Sequence, residues 1–132
     1  MLKTSEAIDA GRITASLIRG VIRQTGRDNL EDIARHGVDG GFSGFVYYSD
    51  TCAFWKRHRA AIADLVRDMS SDFGQDSVAF VAGFGCLEDD AETRESIGRC
   101  LYGGRTTDED TQVQNALAWF AAEEVARLIC DE

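Results

Sequence analysis

Apolar residues recur along most of this chain at spacings of three and four, the repeat that lines one face of a helix. Ile8, Leu17, Ile18, Val21 and Ile22 form the first such stripe and predict a helix over residues 5–24, with Gly26 as its stop. Arg12, Arg19, Arg23 and Arg27 share another face of it and read as a solvated row. Asp28, with Glu31 three residues on, resembles a capping box and opens a short helix through Ile33 and Arg35, closed by Gly37. His36 then falls at a helix C-terminus, where a cation is favoured.

Residues 40–55 break the helical repeat, and we expect the rest of the chain to be organised around them. Gly40, Gly41 and Gly44 alternate with Phe42, Phe45, Val46, Tyr47 and Tyr48, a composition suited to an apolar loop or short strand. Ser49 and Asp50 are expected to cap a helix over residues 50–69, whose apolar face carries Cys52, Trp55, Ile62, Val66 and Met69. On it, Lys56, Arg57, His58 and Arg59 make a basic knot that reads as surface charge. Asp72 to Gln75 is a turn, and Asp76 or Ser77 caps a short helix through Val78, Phe80, Val81 and Phe84, apolar enough to be buried.

An acidic run from Glu88 to Glu95 opens the next helix, where carboxylates favour the dipole, and that helix passes Ile97, Leu101 and Tyr102 to stop at Gly103 and Gly104. After another acidic start, Asp108, Glu109 and Asp110, a last helix carries Val113, Leu117, Phe120, Val125 and Leu128 and runs to about Cys130. The pattern predicts a mainly α protein: one compact domain over residues 1–132, with five or six helices and at most one short strand or hairpin. The chain has no Pro, the commonest helix breaker, which agrees.

Charge changes the picture more than composition does. The net charge of −9 is unevenly placed: residues 1–66 carry nine Lys/Arg against eight Asp/Glu, and residues 67–132 carry five against fifteen. So acidic a second half disfavours nucleic acid and favours docking on a basic protein surface. Glu88, Asp89, Asp90, Glu92, Glu95, Asp108, Glu109 and Asp110 are the candidate partner-binding carboxylates, with Tyr47 and Tyr48 as aromatic anchors. Cys52, Cys86, Cys100 and Cys130 lack close spacing and read as small buried or half-buried thiols rather than a zinc or disulfide framework. A polar N-terminus and the lack of a long apolar run predict a cytoplasmic protein that does not enter membranes.

Candidate catalysis is thin. Ser43 lacks the nucleophile elbow, and the acidic run lacks the spacing of a calcium loop. Neither a cofactor nor a metal is expected, and the protein is expected not to be an enzyme. The best fragment for one is His36, Tyr47, Tyr48, Ser49 and Asp50, gathered by the glycines around a small pocket.

His36-Gly37, Gly41, Gly44 and the run Tyr47-Tyr48-Ser49-Asp50-Thr51, together with Asn115 to Ala126, resemble a group of small phage and prophage proteins of uncharacterised function. The resemblance covers residues 32–127 and implies a mobile-element origin. It is similar in size, charge and context to anti-CRISPR and antirestriction proteins, an analogy and not a motif. The expectation is therefore a non-catalytic acidic inhibitor that binds a basic host protein or ribonucleoprotein, a CRISPR effector first among them. It would compete with nucleic acid or perturb assembly. The alternatives are a small enzyme using the Gly-rich pocket around Tyr47 to Asp50, or a helical phage structural or regulatory protein, for which a homodimer formed through its apolar last helix is one expectation.

Overall fold

A computed structural model describes residues 3–41, 48–103 and 110–131, and among them every regular element is a helix. In order they are α1 (Thr4–Asp9), α2 (Ala15–Thr25), α3 (Arg27–Gly41), α4 (Tyr48–Asp72), α5 (Ser77–Phe84), α6 (Ala91–Tyr102) and α7 (Thr111–Cys130). The mainly α expectation holds, with seven helices where five or six were expected.

The extra helix comes from the first stripe, which is two helices. Gly11 takes a φ of +73°, a conformation open to glycine and resisted by other residues, and it turns the chain out of α1. The Arg12 amide donates to the Ala7 carbonyl and the Gly11 amide to that of Ile8, which closes the helix end. Thr14 then restarts the chain as N-cap of α2, its hydroxyl accepting from the Leu17 amide at 3.1 Å. Two other boundaries also move. Glycines at 37 and 40 do not end α3, which runs on to Gly41. Ser49 and Asp50 lie inside α4 rather than capping it, because that helix already begins at Tyr48.

Among the described residues the central helix is α7; residues 42–47 of the stretch expected to organise the chain lie outside the described residues. α7 packs against α2, α3, α4, α5 and α6. Its sequence allows this: Ala116, Ala118, Ala121, Ala122 and Ala126 are buried and small enough for neighbours to approach on several sides. Val113, Leu117, Phe120, Val125 and Leu128 fill the space between them. Each fully buried Leu, Val or Phe contributes about 1.5–3 kcal/mol, and α7 shares this burial with α4, where Phe54, Trp55, Ile62, Leu65 and Val66 are buried as well.

Around it, α4 and α5 are joined at the Ser70 and Ser77 hydroxyls, 3.2 Å apart and both buried. Phe120 receives Phe80 and Phe84 of α5 edge-on, each with its ring centroid 5.3 Å away. On the other side α2 meets α4 at His58, where α4 kinks (φ −109°, ψ 18°). The expectation that His58 belongs to a surface knot is overturned: its ring is only 8% exposed and packs 4.8 Å from that of Phe54. The thiols also differ from expectation, since Cys86 and Cys130 are exposed while Cys52 is half-buried and Cys100 buried.

Candidate partner-binding surface

The acidic run folds into a loop and a helix start, and the local chemistry divides its members. Asp90 is the N-cap of α6, its carboxylate accepting from the Thr93 amide at 2.7 Å. That bond holds its carboxyl below the usual carboxylate range. Asp89 takes both a 2.5 Å and a 3.2 Å bond from the Arg94 guanidinium, and this fork likewise lowers its pKa. Asp76, the N-cap of α5, lies near enough to add a weak field at Arg94.

Glu88 and Glu92 remain exposed beside them. Both line a recess of about 340 Å³ that also takes in Cys86, Thr93, Ser96 and Gln112. Glu95, one turn further along α6, is tied to Arg99 at 3.0 Å. Asp76, Glu88, Asp89, Asp90, Glu92 and Glu95 thus form one acidic edge around α5 and α6, with Arg94 set into it.

Asp110 does not belong to this edge. Its side chain is fully buried at the start of α7, where Arg99 donates to it at 2.7 Å. Its charge is used to join α6 to α7. Asp108, Glu109 and Tyr47 lie outside the described residues; Tyr48 opens α4, and its side chain lies outside them as well. Of the residues that the enzyme alternative would need, His36 is exposed in the middle of α3, not at a helix end. Among the described residues no group of three His, Cys, Asp or Glu is placed to hold a metal ion. No helix among them is long and apolar enough to cross a membrane.

Two features escaped the sequence reading. Asp76 offers sequence analysis only a helix cap, because the packing of α5 on α6 arises in the fold. His58 had a signal: Phe54, His58, Ile62 and Val66 recur every fourth residue, and all four are buried. Where α4 meets α7, the Cys52 thiol lies 3.9 Å from the Asn115 side-chain oxygen.

Residues 11–132 match a protein family described as a domain of unknown function, DUF7222, and the chain belongs to that family. Neither the curated proteins nor the solved structures include a match to it.

Proposed function

We propose that this member of the DUF7222 family is a non-catalytic binding protein that docks its α5–α6 acidic edge on a basic surface of a partner protein. The observation that carries this reading is the convergence of Asp76, Glu88, Asp89, Asp90, Glu92 and Glu95 on one edge with Arg94 between them. An excess of like charge held this close is a standing cost to the folded chain, and a basic partner relieves it. Such a surface repels phosphates, so the partner is a protein or the protein part of a ribonucleoprotein. The resemblance to small phage and prophage proteins makes a host-defence nuclease, a CRISPR effector above all, the partner class to try first. Inhibition would follow if carboxylates occupied sites that otherwise hold nucleic-acid phosphates.

The test is binding to purified effector ribonucleoproteins across a salt series. Glu88 and Glu92 are the positions to reverse, because neither caps a helix, whereas Asp89 and Asp90 hold the start of α6. The paired variant Glu88→Lys, Glu92→Lys should fold normally, bind more weakly and lose much of the salt dependence. Glu31→Lys, exposed on α3, serves as a distant charge control. Binding that ignores salt, or survives the paired reversal, would refute the electrostatic reading.

A further inference from the structure

On a different part of the molecule, α1, the turn after it, the second half of α4 and the end of α7 enclose a groove of about 680 Å³. Its size falls within the range of small-molecule sites. Ile13, Leu65 and Leu128, all buried, and the half-buried Met69 form its apolar wall. Phe73, 67% exposed, stands at the edge and stacks on Phe80. The polar groups are unequal. Arg12 is held by Asp72 at 2.7 Å and reaches the Met69 sulfur at 3.2 Å, and Arg127 is held by Glu123. Both guanidiniums therefore already have carboxylate partners, while Glu6, Glu124 and Asp131 add further negative charge to the same walls.

Glu124 is the member that matters, since it is half-buried on α7 against this apolar wall. From these contacts we infer that the groove binds a small organic cation, an ammonium or guanidinium on an apolar body. The body would lie on Ile13, Leu65, Met69 and Leu128, and the charged head would meet Glu124. Burial raises the Glu124 pKa, with Arg127 and Arg12 only partly opposing it. A bound cation replaces the missing solvation, so ligand binding and ionisation of this carboxyl assist each other.

Phenylbutylamine is a suitable probe, compared with the neutral phenylbutanol and the anionic phenylbutyrate, with amide and methyl NMR shifts as the readout. The amine should shift signals of Ile13, Leu65, Met69 and Leu128 and saturate. The alcohol should bind about tenfold more weakly, the worth of one charged hydrogen bond, and the acid more weakly still. Glu124→Gln should cost the amine a similar factor and leave the alcohol unchanged. Equal binding of amine and alcohol to the unaltered protein would overturn the inference without any variant. So would shifts confined to the α5–α6 edge, which would mean simple charge attraction there. None of these outcomes depends on the partner proposed above.

Discussion

Gly20 lies in the middle of α2, where alanine normally strengthens a helix by about 1 kcal/mol, yet Gly20→Ala should weaken this protein. A Cβ built at Gly20 would overlap His58 Nε2 and lie 3.0 Å from Cε1 and 3.2 Å from Cδ2 of the same ring. Comfortable carbon contacts begin at about 3.5 Å, so the ring would have to retreat by roughly 1 Å at its tip. It has little room to do so, being 8% exposed and packed 4.8 Å from Phe54. Overpacking of this kind costs about 1–3 kcal/mol. Set against the helix gain, the net loss is up to about 2 kcal/mol, a fall in Tm of several degrees for a chain of this size.

The sign is the sharper test. With His58→Ala already in place the clash is gone, and the same alanine at 20 should then stabilise by its helix propensity. Urea unfolding of the four proteins in this cycle, followed by circular dichroism, gives a coupling energy expected at about 1–3 kcal/mol. If Gly20→Ala stabilises the unaltered protein, or costs the same in both backgrounds, then the α2–α4 contact is not the close approach described.

Three further outcomes follow from buried groups. Burial, and secondarily the Arg57 charge, lowers the His58 pKa, so the folded state favours the neutral ring. The unfolded chain then binds the extra proton, and urea midpoints should fall as pH drops through about 6.5, with a flatter profile in His58→Gln. Glu124 has the opposite sign: its raised pKa means the folded state favours the protonated form, and stability is lost as pH rises above the usual carboxylate range. Glu124→Gln should therefore raise the urea midpoint at neutral pH, and the gain should vanish in acid; a stabilised variant that binds the amine less well would be the mark of a functional carboxyl. The Cys100 thiol, pushed up to about 12 by burial and then by Asp110, should resist a thiol reagent at mildly alkaline pH until the protein unfolds. The exposed Cys86 and Cys130 should react at once, and equal rates for all four would contradict the packing of α6.

The elements that sequence revealed well are those whose ends are fixed by local chemistry. Asp76 and Asp90 each bond an amide three residues ahead, so the starts of α5 and α6 could be read from a few neighbouring positions. The end of α7 and its apolar positions were legible for the same reason, a long unbroken 3.6-residue repeat. Glycine misled the reading in both directions. Gly11 breaks a stripe that continues on either side, while glycines at 37 and 40 stay helical inside α3, and residue type alone does not distinguish these cases. The candidate edge was half visible: its α6 members are contiguous in sequence, whereas Asp76 joins them only through the packing of α5 on α6. The groove was not visible at all, because Arg12, Asp72 and Glu124 are distant in sequence and each looked like ordinary surface charge.

That sorting also alters what the net charge can be used to argue. The second half of the chain carries fifteen carboxylates, but they are not equivalent once folded. Asp110 is buried to join two helices, Asp76 and Asp90 satisfy backbone amides, and Asp72 and Glu123 restrain arginines. Glu92 lies in the first turn of α6, where a negative charge favours the dipole, and Glu88 lies against the Asp90 carboxyl, but neither is the N-cap itself. Local structure therefore accounts fully for several of these acids and only in part for Glu88 and Glu92. The charge available to a partner is set by exposed residues of this kind rather than by the total of −9. A test of the docking proposal belongs at those two positions, because both line the recess on this edge and neither is the N-cap of α6.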